Sequence, residues 1–301
     1  MRKEFAQAIE KIACENKRII FITGDLGFMA LENVKSSLGE RFINAGVCEQ
    51  NMISLAAALS TENLLPVCYS ISPFIVFRPA EQIRLDVCLH NANVKIVGNG
   101  GGYGYGIMGA THHAIEDLAV ISAFQNIRCY IPFCNEDVEE VMRVMFENTG
   151  PAYLRLGFGN KPEKIIIPKY KPFRKIMSGN KLTVVSLGPV SLNAIQAKEK
   201  LVDIDFDLFI VSELPLENIS GEFFESLKKT GRLLVIEEHI KHGGLGSALT
   251  LVLSGKKIYF EFGHLFAAGY PEGLYGSQNY HQTVSGLDAD SIANKMREML
   301  S

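Results

Sequence analysis

The chain has 301 residues, of which 47% are hydrophobic and 21% charged, a composition typical of a folded globular protein rather than of a disordered chain. Its net charge of −3, without a basic stripe, argues against a nucleic-acid partner. No apolar run approaches the roughly 18 residues that a membrane-spanning helix needs, so we expect no membrane partner.

The first half of the chain alternates short β-branched runs with helical patterns, which is typical of parallel sheets covered by helices. It opens with an amphipathic stretch that predicts a helix with Phe5, Ala8, Ile9 and Ile12 on one face. We predict strands at 18–23, 66–70, 94–98, 128–131 and 152–156, and helices at 49–61, 77–90, 114–124 and 136–147.

A second alternation follows a loop-like span that is rich in proline and lysine. There we predict strands at 181–188, 205–213, 231–238 and 257–263, and helices at 190–201, 222–229, 244–253 and 290–300. The sequence therefore predicts an α/β fold of two domains, each a largely parallel sheet flanked by helices. We expect the first domain at 1–160, a linker at 161–180 and the second domain at 181–301.

The six cysteines indicate the cellular compartment. They form no CxxC pair and most of them lie among apolar residues, so we expect free thiols in a reducing cytosol rather than disulfides or zinc ligands. The sequence thus predicts a cytoplasmic protein.

The segment Gly104-x-Gly106-x-x-Gly109 has the spacing of a dinucleotide-binding turn. That turn requires its first glycine directly after a strand, whereas here the predicted strand ends near Gly98, and the next strand is not followed by an acidic residue. We therefore reject a dinucleotide site. What remains is a glycine-dense loop ending in His112, which is either a ligand-binding loop or a solvated surface loop.

Glu49 is a candidate catalytic residue because it follows a turn and opens an apolar helix. A carboxylate in that position can act in acid–base chemistry, since burial raises its affinity for a proton. The alternative is a structural acid that complements the helix dipole. These residues alone do not decide between a catalytic and a structural role for Glu49.

Four motifs in the first half agree in order and spacing with one family: "AGVCEQNM", "YSISPFIVF…EQIR", "GATHHAIEDLAVI" and "GPAYLRL". They resemble the pyrimidine-binding domain of transketolases and deoxyxylulose-phosphate synthases. The second half, with "VVSLGP" and "LLVIEEHIKHGGLGSAL", is similar to the carboxy-terminal domain of the same enzymes. The resemblance covers nearly the whole chain.

The resemblance implies thiamine diphosphate as the cofactor and a transferase that moves a two-carbon ketol or acyl unit between carbonyl substrates. It implies that Glu49 hydrogen-bonds the aminopyrimidine ring nitrogen and favours the tautomer that takes the thiazolium proton. Phe74 and Phe77 then form the slot for the pyrimidine, and Asp25-Leu26 reaches the thiazolium side. His112 is implied to bind the reacting substrate oxygen, whereas we expect His113 to face solvent. For both phenylalanines, ordinary core packing is the alternative.

A Gly-Asp-Gly segment, which binds the metal and the diphosphate in full-length transketolases, is missing from this sequence. The resemblance therefore implies a split enzyme whose partner subunit holds the diphosphate with Mg²⁺ or Ca²⁺, in an α2β2 heterotetramer.

Three positions depart from the family pattern. Met108 stands where relatives carry an acid that binds a substrate hydroxyl, and Gly100 and Phe158 stand where they carry a histidine and an arginine that contact phosphate. We therefore expect an atypical substrate rather than an ordinary pentose phosphate, for example a bulky or nucleotide-linked sugar.

Two other functions remain open. The chain is also compatible with the β subunit of a 2-oxo-acid dehydrogenase, which has the same two domains, or with a homologue without catalytic activity. In the second half, Glu237, Glu238, His239 and His242 precede a glycine turn. We expect this group to be structural or to lie at an interface rather than to bind a metal.

Overall fold

The computed structural model describes residues 1–27, 29–270 and 274–301. Within these ranges, the first half of the chain forms a parallel sheet in the order β5-β6-β4-β3-β1-β2. The two central strands, β3 and β4, are buried along their whole length, as is typical of a parallel sheet that is covered on both faces. The six strands are β1 (Ile19–Thr23), β2 (Phe42–Asn44), β3 (Leu65–Ile71), β4 (Lys95–Asn99), β5 (Arg128–Tyr130) and β6 (Ala152–Leu156).

Helices cover both faces of this sheet. One face packs against α1 (Arg2–Glu15), α2 (Glu32–Leu38) and α7 (Val138–Glu147). The other packs against α3 (Glu49–Thr61), α4 (Ser72–Phe77), a segment that starts as α5 (Ala80–Gln82) and continues as a π-helix (Ile83–Leu89), and α6 (Asp117–Ser122). The predicted apolar face of α1 is confirmed: Phe5, Ala8 and Ile9 are buried and Ile12 packs against them.

The second half forms a five-stranded sheet in the order β12-β11-β8-β9-β7, in which β7 is antiparallel to its neighbour and the other pairs are parallel. Its elements are β7 (Phe173–Met177), β8 (Leu182–Leu187), β9 (Phe206–Val211), β10 (Glu213–Leu214), β11 (Arg232–Glu237) and β12 (Glu261–Leu265), with α8 (Ser191–Glu199), α9 (Gly221–Thr230), α10 (Leu245–Gly255), α11 (Gln278–Val284) and α12 (Ala289–Glu298). The fold class predicted from the sequence is confirmed.

The two domains are closely joined. The short strand β10 comes from the second half but pairs antiparallel with β5, so it extends the first sheet to seven strands. One apolar cluster also runs from Ile22 and Ile96 in the first domain to Phe209 and Leu233 in the second. The domain limits stay a prediction, but the segment expected as a linker, 161–180, contains strand β7 of the second sheet.

All six cysteines are free thiols: four are buried, and Cys14 and Cys48 are exposed. In the part of the chain that the structure describes, no helix has the length and apolar composition needed to cross a bilayer.

Candidate functional site

The carboxyl ends of three neighbouring strands, β1, β3 and β4, lie beside the start of α3 and carry most of the residues that the sequence analysis selected. Strand β1 leads into a turn at 24–27, β3 into α4, and β4 into the glycine-rich loop at 100–113. Ligands of open parallel sheets bind at this edge. These turns form the candidate site.

Glu49 is the first residue of α3, and its side chain is 2% exposed. A tight turn places it there: the Gly46 amide donates to Asn44 Oδ1 at 3.0 Å, and Gly46 has a φ of +73°, which residues with a Cβ rarely adopt. The Ser70 hydroxyl, near the end of β3, donates to Glu49 Oε1 at 3.4 Å. A carboxylate this deeply buried requires a partner that compensates its lost hydration.

That partner is Arg78, which the sequence analysis did not select. Its Nη1 donates to Glu49 Oε1 at 3.0 Å and to Oε2 at 2.9 Å. The same guanidinium lies over the face of Phe74, 3.9 Å from the ring centroid, which is a favourable cation–π geometry. Because Phe74 and Arg78 are four residues apart on α4 and its end, they share one helix face. This i, i+4 spacing was the signal that could have identified Arg78.

Phe74 also contacts His112, edge to face, with the ring centroids 5.1 Å apart. The Nδ1 atom of His112 is 2.9 Å from Thr111 Oγ1. Burial and, secondarily, the positive charge of Arg78 lower the pKa of His112. Glu49, Phe74 and His112, which the sequence analysis selected from three separate segments, thus lie in one row that Arg78 connects.

The row continues through Tyr105, a second residue that the sequence analysis did not select. Its ring centroid is 5.7 Å from that of His112, and its hydroxyl accepts a hydrogen bond from Asn99 Nδ2 at 2.8 Å. Burial raises the pKa of the Tyr105 phenol. The ring covers Gly100, where an added Cβ would come within 2.2 Å of it. Tyr105 therefore fills the space that any side chain at position 100 would need.

Asp25 and Leu26 lie beside this row. The Asp25 amide donates to Asn44 Oδ1 at 3.0 Å, and Asn44 Nδ2 donates back to Asp25 Oδ1 at 2.8 Å. Both Asp25 and Leu26 line a cavity of about 430 Å³. A Cβ on the preceding Gly24 would lie 3.8 Å from Glu49 Oε1, so the turn borders the Glu49 position from the side of β1.

Several apolar side chains near the site face outward. Phe77, at the end of α4, is 39% exposed, and its role in the aromatic slot stays a prediction. Met108 and Phe158, two of the positions that depart from the family pattern, are 53% and 43% exposed. They can therefore contact a ligand or another surface, but neither can provide the charge that the family pattern has there.

The second domain holds the glycine-rich loop in place. Glu238, just after β11, accepts the Tyr103 amide at 2.6 Å and the Gln278 side-chain amide at 3.0 Å. The Tyr103 hydroxyl donates to the Gly269 carbonyl at 2.6 Å. From β6, Arg155 Nη2 donates to the Glu238 carbonyl at 3.2 Å. The loop that contains Tyr105 and His112 is therefore fixed by contacts from both domains.

The neighbouring Glu237 has a structural role. Its carboxylate accepts the Leu245 amide at 2.7 Å and the Gly246 amide at 2.9 Å, which stabilises the start of α10. His239 Nε2 accepts the Ala119 amide at 3.2 Å across the domain boundary. Glu237, Glu238 and His239 thus serve the structure and the interface, as the sequence predicts.

His113 is fully buried, so the expectation that it faces solvent is wrong. Its Nε2 is 2.7 Å from the Gly106 carbonyl oxygen, and its ring centroid lies 5.2 Å from that of Tyr103 and 4.8 Å from that of His281. Burial lowers the pKa of His113. His113 is buried because the second domain covers the glycine-rich loop. This tertiary contact cannot be inferred from the local sequence.

The row from Glu49 to His112 has the chemistry to hold a flat nitrogen heterocycle. A buried carboxylate can accept from a ring or amino N–H group, and Phe74 offers a face for stacking. The fit is visible in the structure, because the planar, N–H-donating guanidinium of Arg78 already makes both contacts. An aminopyrimidine, the group that the resemblance implies, presents the same two features.

Family models identify both halves of the chain. Residues 1–162 match the model described as "Transketolase, pyrimidine binding domain", and residues 173–292 match "Transketolase, C-terminal domain".

Similar proteins agree with these matches. The chain is 28% identical over 264 residues to a subunit of the apulose-4-phosphate transketolase of Actinobacillus succinogenes, covering 85% of this chain and 83% of that protein. It is 25% identical over 310 aligned positions to the protein of the same description from Phocaeicola vulgatus, covering 99% and 97%. A solved split-gene transketolase, an inactive β4 tetramer, superimposes with a TM-score of 0.85 at 28% identity, covering 99% and 97% of the two chains.

Proposed function

The chain belongs to the transketolase family, and we propose that it is the pyrimidine-binding subunit of a split, thiamine-diphosphate-dependent transketolase. In this proposal it transfers a two-carbon ketol or acyl unit between carbonyl substrates when it is assembled with a partner subunit. The names of its relatives support a divided enzyme, because both apulose-4-phosphate transketolase relatives are described as one subunit of the enzyme rather than as the whole of it.

The observation that supports the catalytic assignment is the row formed by Glu49, Phe74 and His112. Glu49 is buried at the start of a helix, Phe74 shares a guanidinium contact with it, and His112 lies against the edge of Phe74. A purely structural acid at a helix start would not require an aromatic face and a second acid–base group beside it.

Each residue of the row has one task in the proposed reaction. Glu49 holds the aminopyrimidine and keeps its ring nitrogen in the tautomer that moves a proton, while Phe74 fixes the plane of the ring. Neutral His112 donates a hydrogen bond to, or exchanges a proton with, the reacting oxygen of the substrate. Thiamine diphosphate, when bound, supplies the electron sink for carbon–carbon bond cleavage and formation.

The partner subunit completes the site in this proposal. It binds the diphosphate together with Mg²⁺ or Ca²⁺, and the assembly is an α2β2 heterotetramer. Among the residues that the structure describes, no group of three or more His, Cys, Asp and Glu side chains is arranged to hold a metal ion. We assign the metal to the partner because the Gly-Asp-Gly segment, which binds it in full-length transketolases, is missing from this sequence.

We propose that the substrate is not an ordinary pentose phosphate. Met108, Gly100 and Phe158 stand where the family pattern has an acid and two phosphate-contacting groups, and Tyr105 covers Gly100. The relatives named for apulose 4-phosphate support a non-standard sugar. Candidate substrates are therefore bulky sugars, including nucleotide-linked ones.

Reconstitution of the chain with its diphosphate-binding partner tests the function. We expect carbon–carbon bond transfer in the complex and its loss in Glu49→Gln, which keeps the shape but not the charge of the carboxylate. A barrier increase of several kcal/mol is expected, where each ~1.4 kcal/mol is tenfold in rate. Exposed Glu222→Gln is the matched control. Full activity of Glu49→Gln would refute the catalytic assignment, and transfer only to a lipoyl acceptor would identify a 2-oxo-acid dehydrogenase instead.

A further inference from the structure

The partly exposed side chain of Arg78 contacts both a buried carboxylate and an aromatic face. Its guanidinium donates to both oxygens of Glu49, at 3.0 and 2.9 Å, and covers the face of Phe74 at 3.9 Å. The Glu49 side chain is 2% exposed, whereas that of Arg78 is 44% exposed. The guanidinium thus enters from solvent and occupies the slot between the carboxylate and the aromatic face.

The proposed function, on which this inference rests, assigns the same two surfaces to the aminopyrimidine. Both groups are planar, both donate N–H bonds at their edge, and both stack through their face. Two planar groups cannot occupy one face of Phe74 and one carboxylate edge together. We propose that Arg78 is a further residue of the cofactor site, whose guanidinium competes with the aminopyrimidine for Glu49 and Phe74 and moves out when the cofactor binds.

The position of Arg78 makes such a movement possible. It lies directly after α4, which ends at Phe77, and is followed by Pro79, so its backbone is at a helix end rather than inside one. Its long side chain is partly in solvent, and the charged head can therefore be rehydrated when it leaves the slot.

The contact also explains how Glu49 is tolerated in the fold. A buried carboxylate without a partner is costly, and the bifurcated hydrogen bond from Arg78 Nη1 to both of its oxygens offsets part of that cost. The same stabilisation must be given up before the aminopyrimidine can bind. The apparent affinity for the cofactor is then the intrinsic affinity reduced by the fraction of molecules in which Arg78 has left the slot.

The test is the dissociation constant of thiamine diphosphate with Mg²⁺, measured by calorimetry on the complex of the full chain with its partner subunit. We expect Arg78→Met to bind the cofactor at least about fivefold more tightly than the unmodified complex. Arg78→Lys, which retains the charge but not the planar face, should fall between the two. Arg84→Met, at an exposed arginine of the following π-helix, is the matched control and should leave the constant unchanged.

The outcomes separate this inference from the proposed function. Equal or weaker binding by Arg78→Met, with normal binding by the unmodified complex, overturns the competition and leaves the proposed function standing. If no complex binds the cofactor, the proposed function is overturned and this inference with it. Thermal unfolding of each complex without cofactor verifies folding, and the Arg78→Lys variant gives the answer if Arg78→Met does not fold.

Discussion

Tyr103 donates its backbone amide to the carboxylate of Glu238 at 2.6 Å, across the boundary between the two domains. Tyr103 lies in the glycine-rich loop, two residues before Tyr105, which packs against His112. Glu238 belongs to the second domain and is almost completely buried. The second domain therefore acts on the candidate site indirectly, by holding the loop on which the proposed substrate histidine lies.

The first prediction concerns this contact. Glu238→Ala leaves the Tyr103 amide and the Gln282 side-chain amide without their acceptor, and unsatisfied buried donors cost about 1–3 kcal/mol each. We expect the free energy of unfolding to fall by at least about 2 kcal/mol in denaturant titrations. Amide hydrogen exchange should become faster in residues 100–106 before it does elsewhere. Glu222→Ala, at an exposed position, is the control, and equal loop exchange in both variants would contradict the proposed role of Glu238.

The second prediction concerns the packing of Tyr105 on Gly100. Gly100→Ala introduces a Cβ within 2.2 Å of the Tyr105 ring at a φ of +78°, and we expect it to cost at least about 2 kcal/mol of stability. Gly231→Ala, at a φ of +64° with no atom within 4 Å of the added Cβ, isolates the cost of the backbone conformation.

A double-mutant cycle completes this test. Tyr105→Ala removes the steric conflict but not the backbone strain, so Gly100→Ala should cost less in the Tyr105→Ala background than in the native one. Simple additivity of the two changes, measured by chemical denaturation, would show that Tyr105 does not limit position 100.

The third prediction is the pH dependence of the proposed reaction. Burial and the charge of Arg78 hold the pKa of His112 below 6.5, so neutral His112 persists into mildly acidic solution. If neutral His112 is required, kcat/KM falls only as the pH drops through that lowered pKa. In the cofactor-free protein, where Arg78 occupies the slot, Arg78→Met removes the positive charge, and the pKa of His112 should rise. The shift is partial because burial, the larger cause, remains.

Two measurements are needed: NMR titration of His112 in the cofactor-free protein with and without Arg78→Met, and kinetic pH profiles of the reconstituted complex. His112→Asn should abolish the acid limb while lowering the rate at its optimum. An acid limb that persists in His112→Asn belongs to another group and would exclude His112 from the proposed role.

The bounds of a helix or strand could be predicted from the sequence wherever one local pattern determines that helix or strand. Helix α3 and strand β6 have the predicted bounds because an apolar helical segment and a short, mostly apolar run directly after Gly150-Pro151 are local signals. The predicted helix at 77–90 was wrong at its start: α4 ends at Phe77, and the next helix begins at Ala80, directly after Pro79. Strand β7 was missed because its Arg and Lys residues, at the sheet edge, resemble linker composition.

The site was predictable only in part, for a physical reason. Glu49, Phe74 and His112 were each recognisable within a sequence motif, but the groups that connect them act through tertiary contacts. Arg78 compensates a charge that is 29 residues away in sequence, and His113 is buried by a domain that begins far beyond it. The local sequence gives no information on which charge is buried or which loop is covered, because both depend on packing between elements.

The last prediction concerns Lys95, whose side chain is fully buried and donates to the carbonyls of Asn148 at 2.6 Å and Gly150 at 2.8 Å. Burial lowers the pKa of Lys95 from 10.5 to about 7. Between these values the unfolded chain holds a proton that the folded chain has lost, so the stability contribution of this group rises with pH across that range and is at its lowest below about 7. The unfolding free energy of the native protein minus that of Lys95→Met should therefore increase between pH 7 and 9. The slope should approach about 1.4 kcal/mol per pH unit.

Urea titrations across this pH range measure the difference. Lys17→Met, at an exposed position, is the control and should give a difference from the native protein that does not change with pH. A constant difference for Lys95→Met as well would mean that the buried amine titrates alike in the folded and unfolded chains, and that the two carbonyls offset the cost of burying its charge.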